Sequence, residues 1–295
     1  MNRDNGGDTD KITRDYFDSL LVEMRHIDAV EPSTKLELYG ESFNTPVMMA
    51  ALSHLNTVHP EGMVEAARGM VAAGGVMWAG MGDEAELEAI NATGARTIKI
   101  IKPYLNNRDI LQKIEHAEKC GCIGVGIDID HQFGSKNCRG SVLNLPVKPK
   151  TLKEIESFVK STKLPFIIKG VLSTVDAQKC LDAGVRGIVV SHHHGMVDYA
   201  VPPLQILPAI GAVINRHIPI FVDCCISRGM DVFKALAWGA TAVSVGRSLM
   251  EALRTSGWHG VCTFIAEMTN ELNWAMAVTG SPDITHIDPQ VIVKK

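Results

Sequence analysis

Eight short apolar runs alternate with helix-like segments along this chain, and this alternation limits the possible folds more than any other feature. The runs are continuously apolar, which is typical of parallel strands covered on both faces. Eight such units in 295 residues predict an α/β protein of the (β/α)8 class, a TIM barrel formed by one domain over residues 1–295. The runs are 46–52, 75–79, 97–101, 124–129, 165–169, 187–191, 219–223 and 242–246.

A doubly wound parallel sheet is the alternative fold. Such a sheet usually carries a Gly-x-Gly-x-x-Gly motif after its first strand, and none follows residues 46–52. Outside the repeating units, the polar residues 1–15 predict a disordered tail and residues 16–24 predict a helix. The long polar segment 131–150 predicts a loop that serves as a lid.

Composition excludes several classes of function. A formal net charge of −4 gives no electrostatic reason to bind nucleic acid, and no apolar run is long enough to span a membrane. The seven cysteines are odd in number and scattered, and the sequence begins with polar residues rather than a secretory leader. We therefore expect a cytoplasmic protein with free thiols and without structural zinc.

The ends of the eight strands supply the candidate site residues. In a TIM barrel these ends converge on one face, and that face carries the active site. The candidates are Ala50, Ala51, Gly80, Lys99, Asp128, Asp130, Lys169, Ser191, His193, Asp223, Gly246 and Arg247.

Lys169 ends an apolar strand, where an ammonium group is costly to bury without a partner. It either pairs with a carboxylate such as Asp128 or faces a cofactor. A desolvated lysine also supports Schiff-base chemistry, so a covalent role is a further interpretation.

Two arginines, Arg228 and Arg247, follow the last two strands. Loops at these positions commonly bind phosphate through backbone N–H groups at a helix N-terminus. Guanidinium groups can add bidentate contacts to the same anion, which favours a phosphate site. The alternative is that each arginine forms only local salt bridges.

Three consecutive histidines, His192 to His194, follow the sixth strand. A catalytic His193 is one interpretation, and a structural histidine is another. A metal held by His192, His194, Asp128 or His131 is the third. Adjacent residues at a strand end point in alternate directions, which disfavours the metal.

The ordered motifs resemble one family. They are the sequences PFIIKGVL at 165–172, AGVRGIVVS at 183–191, the segment 223–239 and VGR at 245–247, with PVMMA at 46–50 and HPEG at 59–62 upstream. Over about residues 16–280 they resemble the FMN-dependent α-hydroxy acid oxidases and dehydrogenases, relatives of glycolate and lactate oxidase. The resemblance implies an FMN-binding TIM barrel, a small-molecule substrate and a homo-oligomer, a tetramer or larger.

The resemblance also implies roles for single residues. The family's Ser-Asn-His-Gly-Gly-Arg aligns with Ser191–Met196, which makes His193 the catalytic base, and Asp130 matches the aspartate that orients it. Lys169 matches the lysine that stabilises reduced flavin. The implied cofactor-binding residues are Ala50, Ala51, Gly80, Lys99, Asp128, Lys169, Ser191, Gly195, Asp223, Arg228, Gly246 and Arg247.

Several positions depart from the family pattern. Met196 replaces the arginine that clamps the substrate carboxylate, and Lys99-Ile-Ile101 replaces Gln-Leu-Tyr. In the shortened loop after strand four, only Lys136 and Arg139 are candidate replacements for the family's loop arginine. Losing a carboxylate's main partner typically costs several kcal/mol. We therefore expect a substrate other than a small 2-hydroxy acid, in contact with His194, Met196 and Trp78.

Three functions follow from these residues. The first is a flavoenzyme that oxidises a hydroxyl-bearing substrate, with His193 as the base and electrons passed to FMN. The second is a flavin-dependent isomerase, reductase or lyase. The third is a non-catalytic subunit that binds FMN or phosphate.

Overall fold

Eight parallel strands form the barrel, in the positions that the alternation predicts. The computed structural model describes residues 7–135 and 138–295. The strands are β1 Val47–Met49, β2 Met77–Ala79, β3 Thr97–Ile101, β4 Gly124–Asp128, β5 Phe166–Val171, β6 Gly187–Val190, β7 Ile220–Val222 and β8 Ala242–Val245. Their order in the sheet is β1-β8-β7-β6-β5-β4-β3-β2, and a bridge between Leu52 and Ala79 joins the first two strands and closes the ring. The TIM-barrel prediction is confirmed.

Helices surround the barrel: the first precedes β1, the last follows β8, and those between connect consecutive strands. They are α1 Thr9–Asp18, α2 Gly62–Ala73, α3 Glu84–Ala92, α4 Asn107–Lys119, α5 Leu152–Lys160, α6 Thr174–Asp182, α7 Pro203–Ile214, α8 Gly229–Ala237 and α9 Arg247–Val278. Side-chain caps fix several starts: Asp83 and Asn106 accept backbone N–H groups, and Thr151 forms a capping box with Glu154.

Large side chains fill the barrel interior. Trp78 on β2 and Phe221 on β7 belong to strands that are not neighbours, yet their rings lie 5.1 Å apart. The indole N–H of Trp78 points to the sulfur of Met48 at 3.1 Å, and the side chain is almost fully buried. The expected substrate contact of Trp78 is therefore wrong, because this side chain belongs to the hydrophobic core.

The N-terminal segment differs from the prediction. Residues 1–6 lie outside the described residues, but α1 begins at Thr9, so residues 9–15 are helical rather than disordered. Asp8 caps this helix and Phe17 is fully buried beneath it. The helix predicted over 16–24 instead ends at Asp18, because Leu20–Val22 forms a strand with Ile292–Lys294.

Two further elements cover the ends of the barrel. A hairpin of Leu36–Leu38 and Glu41–Phe43 lies at the amino ends of the strands, where the Tyr39 hydroxyl donates to the Arg186 carbonyl. At the opposite end, the predicted lid contains short hairpins rather than an unstructured loop, including Ser141–Val142 with Leu145–Pro146. Within the described ranges, no helix is both long and apolar enough to cross a bilayer.

A buried ion pair attaches α1 to the barrel. Asp231 on α8 is fully buried, and both of its oxygens accept from the Arg14 guanidinium at 2.9 Å. The backbone N–H of Ser227 donates to the same carboxylate at 3.1 Å.

Replacing Arg14 with alanine should therefore lower the free energy of unfolding by about 1–3 kcal/mol, because a buried carboxylate loses its charged partner. The measurement is the urea midpoint followed by circular dichroism. Arg25→Ala is the matched control, since Arg25 pairs with Glu23 and Asp288 in solvent and should change the midpoint little. Equal effects of the two variants would contradict the assignment.

Candidate active site

Lys169 lies at the centre of a buried charge cluster at the carboxyl ends of β4 to β7. Its ammonium donates to the Ser191 hydroxyl at 3.2 Å and lies 3.3 Å from Asp223 and 3.8 Å from Asp130. Burial opposes the charged form, but Asp223, Asp128 and Asp130 outweigh it and raise the pKa of Lys169. The lysine is thus a permanent cation, which does not support a Schiff-base role, because that chemistry needs a neutral amine.

His193 is held against a carboxylate in the same cluster. Its Nδ1 atom lies 2.9 Å from Asp130 Oδ1 and 3.5 Å from Asp128 Oδ1. When the ring is neutral, an Nδ1–H that donates to Asp130 leaves Nε2 as the atom with the free lone pair. Burial and Lys169 lower the pKa of His193, but Asp128 and Asp130 outweigh them, and the pKa is raised above its usual value. The geometry is that of a positioned general base.

Asp128 pairs with a lysine that the sequence interpretation missed. Lys102 forms an ion pair with Asp128 and also lies 3.0 Å from Nδ1 of His131. Burial opposes ionisation of Asp128, but Lys102 and Lys169 outweigh it and hold the pKa of Asp128 well below its usual range. One oxygen of Asp128 and one of Asp130 are buried without a hydrogen-bond partner among the described residues. Both oxygens can accept from a bound ligand.

Strand parity explains why Lys102 reaches the site and Lys99 does not. Side chains alternate between the two faces of a strand, and Ile98 and Ile100 face the barrel interior beside Gly124 and Gly126. Lys99 therefore points outward, where it donates to the Gly80 carbonyl at 2.5 Å and burial lowers its pKa to about 8. The predicted cofactor contact of Lys99 is wrong. The alternation of side-chain direction along the strand could have identified Lys102 from the sequence instead of Lys99.

The turn after β6 is strained. His193, His194 and Gly195 have φ values of 49°, 53° and 75°, three consecutive residues in the left-handed region. Such strain often accompanies function. His192 is structural: its Nδ1 accepts from Gly195 N–H at 3.1 Å, so its Nε2–H donates to Thr13 on α1 at 2.8 Å. The backbone N–H of Met196 donates to the His192 carbonyl, and this bond closes the turn that contains Gly195.

A cavity of about 500 Å³ lies beside this cluster, at the ends of β7 and β8. Five of the predicted residues line it, and α1 forms one wall. The lining residues that matter here are Ala50, His194, Asp223, Gly246, Arg247 and Ser248, with Asp10 from α1.

Arg247 begins α9 and already has a carboxylate partner. Its guanidinium donates to Asp10 Oδ2 and to His194 Nδ1, both at 2.5 Å. Arg228 does not line the cavity: its side chain is half exposed and lies 3.5 Å from Asp18 and 3.9 Å from Asp231. Of the two arginines, only Arg247 lines the cavity. Arg228 instead forms local salt bridges, which was the alternative to phosphate binding.

The backbone after β7 adopts the left-handed conformation that favours glycine, although cysteines occupy these positions. Cys224 and Cys225 have φ values of 71° and 60°, in the left-handed region that costs other residues about 1–2 kcal/mol each. The family resemblance implies two glycines at these positions. Burial raises the pKa of Cys225 to about 12, so its thiol is inert as a nucleophile.

A metal ion is the alternative occupant of the charge cluster. Ligand atoms of Asp128, Asp130, His131 and His193 lie within 4.8 Å of one another. However, the ammonium groups of Lys102 and Lys169 contact the same carboxylates and repel a cation. His192 and His194, also suggested as ligands, bond to Thr13 and Arg247 instead. The charge balance therefore favours an organic ligand.

The site fits FMN in three respects. Its cavity has the volume of small-molecule sites, about 300–1,000 Å³. The first turn of α9 presents backbone N–H groups and Arg247, the donors that bind phosphate. Gly246 leaves space, because a Cβ there would still be 3.5 Å from Leu52 and 3.6 Å from Ala50. Gly80 and Ala51 pack backbone to backbone at the closure of the barrel and do not line the cavity.

Comparisons with known proteins agree with this geometry. Residues 3–152 and 144–294 match the FMN-dependent dehydrogenase family. The chain is 31% identical to peroxisomal (S)-2-hydroxyacid oxidase GLO3 of Arabidopsis thaliana, over 91% of this chain and 82% of that protein. It is 28% identical to 4-hydroxymandelate oxidase of Amycolatopsis orientalis, over 87% of this chain and 82% of that protein.

Solved structures give the same result. Mandelate oxidase with (S)-2-phenylpropionate has a TM-score of 0.87 and 28% identity, covering 98% of this chain and 91% of that one. A mandelate oxidase variant with the C4a-OH-FMN adduct also has a TM-score of 0.87, with 28% identity over 98% of this chain and 92% of that one. Because the family match spans nearly the whole chain, this protein belongs to the FMN-dependent dehydrogenase family and is an FMN-dependent oxidoreductase.

Proposed function

We propose that this protein oxidises a hydroxyl-bearing small molecule, with His193 as the general base. The observation that carries the proposal is the contact of 2.9 Å between His193 Nδ1 and Asp130 Oδ1, beside the buried Lys169 ammonium. The carboxylate orients the ring and stabilises the imidazolium that forms when Nε2 takes a proton from the substrate hydroxyl. FMN bound beside this base would supply the electron acceptor for the same carbon.

FMN binding involves both ends of the site. We infer that its phosphate binds at the first turn of α9, next to Gly246, Arg247 and Ser248, where the helix dipole favours an anion. Lys169 lies beside Ser191 and Asp223, and its ammonium would donate hydrogen bonds to the polar edge of a bound flavin ring.

The charge balance near His193 argues against an anionic substrate. Lys102 pairs with Asp128, and Lys169 lies among three carboxylates. Met196 supplies no charge where the family carries its carboxylate clamp. Lys136 and the side chain of Arg139 lie outside the part of the chain that the structure describes. Among the side chains described, each cation near the base is already paired, so we propose a substrate that is uncharged next to its hydroxyl carbon.

Two sequence predictions remain part of the proposal. A cytoplasmic location is supported by the scattered free thiols. A homo-oligomer, a tetramer or larger, is supported only by the family resemblance, and size-exclusion chromatography with light scattering tests it.

The substrate proposal is tested with matched pairs of compounds. Purified FMN-bound protein is mixed anaerobically with 2-hydroxy acids and with their amides, which carry the same carbinol without the negative charge. We expect the amides to bleach the flavin with at least about tenfold higher second-order rate constants, because an unpaired buried anion costs at least 1–2 kcal/mol. A preference for the acids would refute the proposed substrate class. A protein that binds FMN but is reduced by neither class would refute the oxidation itself.

The base assignment predicts a large effect on turnover alone. His193→Ala should lower kcat by about 10²–10⁴-fold, because proton abstraction loses its acceptor. FMN should remain bound, since the phosphate end of the site is unchanged. His26→Ala, at an exposed position, is the control and should leave both properties intact.

The pH profile gives a sharper test of the same role. The base must be neutral to act, so kcat/KM should rise with pH through the raised pKa of His193. The groups that face it are Asp128, Asp130, His131 and Lys169. Asp130→Asn removes a carboxylate that raises this pKa, so the rising limb should move to lower pH. A limb that does not move would show that another group sets it.

The contact between Asp10 and Arg247 predicts competition with the cofactor phosphate. Asp10→Asn should strengthen FMN binding roughly two- to fivefold, the range expected when one partly exposed ion pair is removed. Riboflavin, which lacks the phosphate, should bind both proteins equally. Fluorescence quenching of each flavin by the apoprotein measures the affinities. Asp15→Asn, which breaks only the exposed pair with Lys11, is the control. Equal FMN affinity in the Asp10 variant would mean that the phosphate binds elsewhere.

A further inference from the structure

We propose that Glu88, His116 and Cys120 form a binding site for a divalent transition-metal ion of the zinc class. Glu88 lies on α3, His116 lies in the last turn of α4, and Cys120 follows that turn. α4 runs antiparallel to the strands, so its last turn lies at the opposite end of the barrel from His193. The site is therefore separate from the flavin site and does not depend on the proposed reaction.

The two contacts of His116 Nε2 with the other ligand atoms are close to the spacing of tetrahedral coordination. Zinc bonds of about 2.0–2.3 Å at tetrahedral angles place neighbouring ligand atoms about 3.3–3.7 Å apart. His116 Nε2 lies 3.2 Å from Glu88 Oε1 and 3.4 Å from Cys120 Sγ, and all three atoms lie within 4.8 Å of one another. Cys120 Sγ also lies 3.8 Å from Nδ1 of the partly buried His116, so the imidazole must rotate to aim Nε2 at a shared ion. The exposed Glu88 then completes the set of three protein ligands, with water as the fourth.

Two structural features keep the ligands in place. His116 and Cys120 are four residues apart at the end of one helix, so they project from the same face. Asn91 on α3 donates to the Cys120 carbonyl at 3.1 Å and holds the Cys120 backbone against the neighbouring helix. An ion at this position would connect α3 to α4.

The local charge also favours a cation. The carboxyl end of α4 carries the negative end of the helix dipole. The carboxylates of Glu84 and Glu88 exert a negative electrostatic potential at the Cys120 thiol. The neighbouring cation, Lys119, pairs with Glu115. On binding, the sulfur of Cys120 forms the metal bond and the thiol proton leaves to solvent.

The donor set identifies the class of ion. One thiolate, one imidazole and one carboxylate suit zinc and its neighbours in the first transition row, whereas magnesium and calcium prefer oxygen alone.

Co²⁺ is the probe, added to the purified FMN-bound protein in the absence of chelating thiols. We expect visible bands of tetrahedral cobalt beyond the flavin absorption, together with a thiolate-to-cobalt charge-transfer band. Zn²⁺ should displace the cobalt and abolish both signals. Cys120→Ser should remove the charge-transfer band and weaken binding by more than about tenfold, as loss of even an outer-shell partner does. His116→Ala should do the same.

Two controls separate this site from general surface binding. Cys262→Ser changes a partly buried thiol elsewhere, and His286→Ala removes a surface carboxylate–imidazole pair, Asp283 with His286, that lacks a cysteine. Both should leave cobalt binding unchanged. Cobalt spectra without tetrahedral bands, or bands unaffected by both Cys120→Ser and His116→Ala, would overturn the proposal.

Discussion

The Lys169 ammonium is the interaction on which the rest of the active site depends. A buried cation costs several kcal/mol unless carboxylates surround it. Here the carboxylates come from the ends of three elements: β4 supplies Asp128, the following turn supplies Asp130, and the end of β7 supplies Asp223. Lys169 pairs with Asp128 in the register of β5 and β4, so the strand pairing itself sets this geometry. Removing the lysine would leave three carboxylates facing one another, and His193, the proposed base, would lose its fixed surroundings.

Asp128 and Lys102 support a rebuilt site rather than a decayed one. The family resemblance implies a neutral threonine at the position of Asp128, whereas this chain carries a buried carboxylate there. That carboxylate alone would be strongly destabilising, yet Lys102 pairs with it from the neighbouring strand. A site that had lost its function would be expected to lose buried charges, whereas this one has gained a compensated pair. The same pair uses the cation that could otherwise have bound an anionic substrate.

The sequence predicted the parts of the structure that follow from periodicity. Continuous apolar runs identified all eight strands, and their carboxyl ends identified Lys169, His193, Asp130 and Asp223. The errors arise where a single-residue choice decides the outcome. Lys99 and Lys102 point to opposite faces of the sheet, and the sequence interpretation assigned the outward-pointing Lys99 to the site instead of Lys102. Trp78 ends up in the barrel interior because its partner Phe221 lies across the barrel, a contact that no local pattern contains.

Residues 9–15 were expected to be disordered, but they belong to α1, which contacts Arg247 through Asp10 and the barrel helix α8 through Arg14. Local composition misled because α1 is stabilised by distant partners: Asp231 binds Arg14, and His192 binds Thr13. These anchors hold Asp10 against Arg247, so the helix neutralises the arginine to which we assign the phosphate. At the proposed site, a phosphate that replaces Asp10 must bind strongly enough to offset that lost contact. The proposal therefore implies that FMN binding and the packing of α1 are energetically coupled, so that a change that loosens α1 would alter both stability and cofactor affinity.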